Sequence, residues 1–386
     1  VTDSDGISRP VYLDCNATSP LDPEVRADVL HYLEEEFGNA GSRTHGYGQA
    51  AKERVNRARL EVAAVVDAQS EEVIFTSGAT ESDNLAILGL LRHGDATGRR
   101  HLVSTRIEHK AVLEPLEEAR SRGFDVTLVE PTAGGWVDPT AVARALRADT
   151  LLVSVMATNN ETGVIQPLDD IAAAVGDHVA FLHVDAAQSF GKILPPLRNH
   201  RIDLISISGH KLYAPKGVGA LVARRRGYKR PPLTPLAFGG GQERGLRPGT
   251  LPVHLIAGLG TAAAVAARDH QQRTDYCRHV KRELLSAFDP LRPMINGDPE
   301  HTIAHTINFA FLGVDSEAAM VATKDLVAIS NGSACTSQRY EPSHVLQAMA
   351  ASDNAARGAL RISWSHLTPR VDWQPVVERI AALQQS

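Results

Sequence analysis

Between about Leu60 and Val222 the chain alternates short apolar runs with stretches of helical pattern. The runs are Val73–Thr76, His101–Ser104, Val126–Val129, Leu151–Met156, Phe181–Val184, Leu204–Ile207 and Gly219–Ala223. Several are continuously apolar, as strands covered on both faces are. Helices are expected between them at Leu85–Leu91, Val112–Arg122, Pro139–Ala145 and Leu168–Val175. The last follows Pro167 and carries Asp169 and Asp170 where the peptide dipoles favour negative charge. This alternation predicts an α/β domain on a mostly parallel seven-stranded sheet, with Gly219–Ala223 as an antiparallel addition.

Beyond it, Pro231–Gly249 is rich in Pro and Gly around Gly239-Gly240-Gly241 and reads as a long functional loop. An Ala-rich helix is expected over Val253–Arg268. The remainder mixes strands (Thr306–Phe311, Val327–Ser330, Ala359–Ser363) with helices (Ser316–Ala322, Val376–Leu383), which predicts a smaller α+β domain. The 40 Lys and Arg against 45 Asp and Glu leave a net charge of −5, so direct nucleic-acid binding is not expected. The three cysteines, Cys15, Cys277 and Cys335, make no disulfide framework and suit a reducing compartment. The polar Val1–Pro10 lacks the apolar centre of a signal peptide, and Ala257–Ala267 is too short to span a bilayer; the expectation is a cytoplasmic protein without a membrane segment.

Five short motifs carry chemistry. In Ser208-Gly209-His210-Lys211 the lysine follows a strand and is crowded by Ser208, His210 and Tyr213. Either it is solvated, or it is a desolvated amine suited to Schiff-base formation. Asp185, at the end of His183-Val184-Asp185, reads as a helix N-cap or as a buried carboxylate paired with a protonated ring nitrogen. Thr76-Ser77-Gly78-Ala79-Thr80-Glu81-Ser82 offers small residues at a helix start, an anion cup or a capped turn; no Walker motif exists. His109 and the Asn159-Asn160-Glu161 turn give weaker signals of the same two kinds. In Ser330–Ser337, Cys335 sits among small polar residues and reads as an accessible thiol, whereas Cys15 and Cys277 read as buried. No zinc spacing occurs, so no metal is expected. The basic run Arg224-Arg225-Arg226 with Lys229 and Arg230 reads as a solvated hairpin.

In this order, these motifs resemble those of the pyridoxal-phosphate-dependent cysteine desulfurases of the NifS/IscS type, from about Val11 to Thr368. Gly239–Gly245, Gly332-Ser333-Ala334-Cys335 and Leu360-Arg361-Ile362-Ser363 complete the set. The resemblance implies the fold type I of pyridoxal-phosphate transferases, with a large cofactor domain over 20–258 and a small domain from 1–19 and 259–386 that carries the cysteine loop. It also implies roles. Lys211 holds pyridoxal 5'-phosphate as a Schiff base and acts as base. Asp185 pairs with the pyridine nitrogen, Gln188 meets the ring hydroxyl, and His109 stacks on the ring and moves protons. Ala79, Thr80, Ser208 and His210 hold the phosphate, joined by Thr250 from the second subunit of a homodimer. Asn160 and Arg361 take the carboxylate of L-cysteine, and Cys335 accepts its sulfur as a persulfide for delivery to an acceptor protein. The Gly-Ser-Ala-Cys setting is that of the long-loop group, with Asn331 where serine is more usual. The chain stops at Ser386, soon after the Arg361 motif, which sets the expectation against general iron–sulfur assembly and towards a dedicated pathway: DNA phosphorothioation, as in DndA-like desulfurases, with tRNA thiolation as the rival. Another lyase or aminotransferase on the same cofactor is the remaining enzymatic alternative, though transamination has no use for a thiol at 335.

Overall fold

The computed structural model describes residues 9–332 and 343–384. The chain enters as a short strand, β1 (Val11–Tyr12), followed by helices Pro23–Glu34 and Gly46–Val65. The seven expected runs then form β2 (Val73–Thr76), β3 (His101–Thr105), β4 (Asp125–Val129), β5 (Thr150–Met156), β6 (Phe181–Asp185), β7 (Leu204–Ser208) and β8 (Gly219–Ala223). They build one sheet in the order β2-β8-β7-β6-β5-β3-β4. Neighbours from β7 to β4 run parallel, and β8 is antiparallel to both β7 and β2. The antiparallel strand therefore lies inside the sheet: the short β7–β8 connection favours an adjacent antiparallel pair, and β2 then closes on its free edge. Every residue of β2, β3 and β5 to β8 is buried, which explains their unbroken apolar runs; only the edge strand β4 is largely open.

The helices over Pro139–Ala145, Leu168–Val175 and Val253–Arg268 have the expected bounds. In place of the single helix expected over Leu85–Leu91, two occur, Ala79–Leu88 and Leu91–Thr97. The first begins six residues early because its polar opening turn is itself partly interior: Ser82 and Asp83 are fully buried. Helix Val253–Arg268 lies across Gly46–Val65, and its small residues make the approach possible: a Cβ at Gly260 would sit 2.6 Å from Ala58 Cα. Helices Pro23–Glu34, Gly46–Val65 and His270–Phe288 were not legible as apolar patterns, although Asp22 and Pro23 supply an N-cap and N1 signal for the first.

A second core, separate from that of the large sheet, gathers Leu13, Phe288, Phe309, Phe311, Trp364 and Trp373. Around it β9 (Met294–Ile295), β10 (Thr306–Ala310) and β12 (Leu360–Ser363) form an antiparallel sheet in the order β12-β10-β9, and β11 (Val327–Ala328) pairs in parallel with β1. Asp14 bridges to Ser363. The first strand is thus pinned to the C-terminal part of the chain, and residues 16–18 are brought against the turns that follow β6 and β7.

One expectation needs correction. Arg224 of the basic run is buried, and its guanidinium donates to the carbonyls of Val66, Leu197 (2.9 Å), Asn199 (2.6 Å) and Ile202 (3.1 Å). Arg226 pairs with the buried Asp203 (2.6 Å). A hairpin is present, with Arg226 bridged to Lys229, but its first arginine is a structural plug. A charged fork can be buried when carbonyl groups that would otherwise lack donors receive its protons.

Candidate active site

The carboxyl ends of the parallel strands open into a cleft of about 560 Å³. This is where open α/β sheets bind ligands, because strand ends and the loops that follow converge there. Asp185 ends β6, Ser208 ends β7, Lys211 closes the turn Gly209–Lys211, His109 follows β3, and Asn160 lies in the turn after β5. All of these line the cleft, together with Ala79, Thr80, Gln188, His210 and Arg361. Of the residues anticipated from sequence, Thr250 is exposed and outside the cleft; Cys335 lies outside the described residues.

At the floor, Asp185 Oδ1 accepts from Ala187 N (2.8 Å). Burial, with the Asp83 carboxylate nearby, pushes its pKa up to about 7. Behind it, buried His183 bonds Ser154 Oγ (2.8 Å) and Ser206 Oγ (2.9 Å) and lies 3.5 Å from Asp83; burial lowers its pKa to about 4, so it is a neutral spacer. Among the described residues this carboxylate makes no ion pair. A protonated ring nitrogen would supply one and restore its charge.

His109 is the N-cap of helix Lys110–Ser121, and its Nδ1 accepts from Ala111 N (3.1 Å). That bond leaves the proton on Nε2, and burial lowers the ring's pKa. Glu108 beside it serves the fold: its buried Oε1 accepts from Thr105 Oγ1 (2.7 Å) and Met156 N (2.9 Å), fastening the His109 loop to β5. The two readings of the asparagine pair divide between its members. Asn159 Oδ1 accepts from the backbone N–H groups of Glu161 and Thr162 (2.9 Å each) and shapes the turn, while Asn160 faces the cleft.

Helix Ala79–Leu88 starts at the opposite end with no capping side chain, so its first N–H groups face the cup formed with Thr80, Ser208 and His210. A Cβ at Gly219 would stand 2.6 Å from Gly78 Cα, so only glycine lets β8 lie against this cup. Lys216, which the sequence reading did not single out, adds a cation to this end. Across the cleft, Lys211 Nζ donates to the carbonyls of Asn16 and Ala17 (2.8 Å to the latter), and Gln188 Nε2 donates to Asn16 O (3.0 Å). In the Asp14–Thr18 turn Cys15 is buried, with its thiol pushed up to about 11 by that burial, while Asn16 lines the cleft. Asp14 Oδ1 accepts from Arg361 Nη2 (2.6 Å), Asn160 O accepts from Nη1 (3.1 Å), and Arg361 Nε is buried without a partner.

These residues suit pyridoxal phosphate on their own chemistry. The uncapped helix start and its cations match a phosphate, the desolvated Asp185 matches a pyridinium, and the buried, unpartnered Oε1 of Gln188 matches a hydroxyl donor. Residues 11–372 match the family model for class-V aminotransferases. The cysteine desulfurase IscS of Methylococcus capsulatus is 45% identical over 364 residues, 94% of this chain and 89% of that protein.

The chain is a cysteine desulfurase of the NifS/IscS type.

The crystal structure of DndA from Streptomyces lividans is 49% identical, with a TM-score of 0.81 over 89% of this chain and 97% of that one. That of SspA in complex with cysteine is 34% identical, with a TM-score of 0.81 over 94% and 100%. The desulfurase uses pyridoxal 5'-phosphate on the fold type I architecture, as anticipated.

Proposed function

We propose that this desulfurase converts L-cysteine to L-alanine by passing sulfur to Cys335. The observation that carries the reading is the convergence of Lys211, Asp185, His109 and Arg361 on one cleft at the strand ends. Lys211 carries the cofactor, the Ala79–Thr80 cup with Ser208 and His210 holds its phosphate, Asp185 its ring nitrogen and Gln188 its hydroxyl. When bound, the cofactor supplies an electron sink that acidifies the substrate Cα–H. Arg361 Nε and the cleft-facing Asn160 orient the substrate carboxylate. Lys211 Nζ takes the proton from Cα, and the Nε2–H of His109, on the cleft wall, would return protons. The thiolate of Cys335 attacks the substrate sulfur: an S–S bond forms as the substrate C–S bond breaks, a proton is added at Cβ and one is returned to Cα, alanine leaves, and Cys335 retains the sulfur as a persulfide.

The division into a cofactor domain over 20–258 and a small domain from 1–19 and 259–386 is supported by a separate core that joins Leu13 to Cys277, Phe309, Trp364 and Ile380, and by the pairing of β1 with β11, while Leu259–Ala266 and Val345–Met349 pack on the core of the large sheet. Thr250 is exposed on its own chain, so its phosphate contact requires a second copy, and the working unit in this reading is a cytoplasmic homodimer. Among the described residues no helix is long and apolar enough to cross a membrane. Identity to DndA of 49%, against 45% to an IscS, favours delivery to a dedicated DNA phosphorothioation system through an acceptor protein rather than tRNA thiolation or iron–sulfur assembly.

The deciding experiment is Cys335→Ser. The variant is expected to keep the cofactor's visible absorbance and to form no persulfide; normal sulfide release would refute the nucleophile. Loss of DNA phosphorothioate with tRNA thiolation intact, in a strain lacking the gene, would support the pathway; the reverse would replace it.

A further inference from the structure

A second cavity of about 580 Å³ lies between the segment that leaves β6 and helix His270–Phe288, and no residue lines both it and the active cleft. Its charges are unbalanced. Lys192, Lys281 and Arg282 line it with His305, and Glu300 is the only acidic side chain on its wall. Arg273 and Arg278, also on the wall, are answered by Asp22 (2.7 Å) and Asp275 (3.4 Å). The two lysines have no such counter-charge. Lys192 Nζ meets His305 Nε2 (3.2 Å) and lies 5.9 Å from the centre of the Tyr213 ring, neither of them an anion, and Lys281 Nζ donates to Thr302 Oγ1 (2.5 Å) and Ile303 O (3.2 Å). Arg282 makes no ion pair among the described residues. The rest of the wall is largely apolar, with Ile193 and Leu285 among it. Cations partly removed from water without an anion are costly, and a protein keeps them where an anion arrives. Burial lowers both lysines to about 8, as expected for ammonium groups left without a carboxylate.

We propose that this cavity is a binding site for a small organic anion, a carboxylate or phosphate carried on an apolar body, with Lys192, Lys281 and Arg282 as its charge partners. The wall includes Gly191 and Tyr213, which lie close after Gln188 and Lys211, so the occupant sits behind the cofactor site without entering it.

Calorimetric titration of the holoenzyme with hexanoate and with hexyl phosphate tests this. One saturable site per chain is expected, with hexanol and inorganic phosphate binding at least tenfold more weakly. Lys281→Gln and the exposed Arg282→Gln should each weaken the probes about tenfold, the effect of one charge-assisted hydrogen bond, while turnover of L-cysteine without probe stays at the wild-type rate. Arg361→Lys, altered in the active cleft, should bind the probes as the wild type does. Equal binding of hexanol removes the anion, and equal binding of inorganic phosphate removes the apolar body. Probe affinity unchanged in Arg282→Gln and Lys281→Gln, or lost in Arg361→Lys, places the binding elsewhere and overturns the proposal.

Discussion

Asp185 is the clearest example of a side chain whose chemistry is made by its surroundings. An exposed aspartate would be ionised at any working pH, but burial beside Asp83 raises this one to about 7. Pairing with a ring N–H should return it to the charged form, and Asp185→Asn, which cannot carry that charge, is expected to lower kcat at least tenfold. Steady-state alanine formation checks this. Arg361 makes a complementary case. Both its Nη groups are committed to Asp14 and Asn160, so the planar fork is held in place before substrate arrives. Lysine cannot reproduce that geometry, and Arg361→Lys is expected to raise KM for L-cysteine tenfold or more while the cofactor absorbance remains. His109 shows the same logic through a cap. Its Nδ1 is spent on Ala111 N, which settles the tautomer without any carboxylate partner.

The elements that support the site do so by close approach. Strand β8 runs against the Gly78 turn, and a Cβ at Gly219 would lie 2.3 Å from Ile207 O as well as 2.6 Å from Gly78 Cα. Gly219→Ala should therefore destabilise the protein by about 1–3 kcal/mol through overpacking and loosen the phosphate cup in the same step. Urea denaturation and cofactor retention on dialysis report the two effects separately. Arg224 closes the opposite side of the sheet. Replacing it with Met strands four carbonyl oxygens, at about 1–3 kcal/mol for each that water cannot reach, so Arg224→Met is expected to lower the unfolding midpoint sharply without changing KM in whatever fraction remains folded.

The molecule as a whole buries several histidines as neutral rings. His183 and His366 are lowered to about 4, and His305 goes well below its ordinary value, each chiefly by burial. In the unfolded chain these groups take up protons near 6.5. Their contribution to stability is thus complete above that value and is lost as the pH falls towards 4. Asp185 and Asp83, raised to about 7 and 8, act in the opposite sense, their contribution fading as the pH rises through those values. Between pH 7 and pH 4 the two sets oppose one another, so the histidine part is read as a difference: the urea midpoint of His366→Gln is expected to gain on that of the wild type as the pH falls through this range, and parallel profiles would show that the His366 ring is protonated in the fold.

The alternation of buried runs and helical stretches was enough to indicate the α/β architecture and all seven strands of the large sheet, because strands covered on both faces must be apolar throughout. The order of the site motifs along the chain indicated the family, and those of the large sheet, around His109, Asp185 and Ser208, stand at or just after strand ends. The sequence could not place β8 inside the sheet, because pairing between distant strands leaves no local signal. It could not distinguish Arg224 from its exposed neighbours either, since burial of a guanidinium depends on carbonyls drawn from two distant segments, Val66 and 197–202. Asn16 reaches the cleft, and Asp14 reaches Arg361, only through the pinning of β1 to β11, and the unbalanced cations of the second cavity meet only when helix His270–Phe288 packs beside Lys192. Period and composition are local properties of a chain. Which charges end up without a partner is decided by packing.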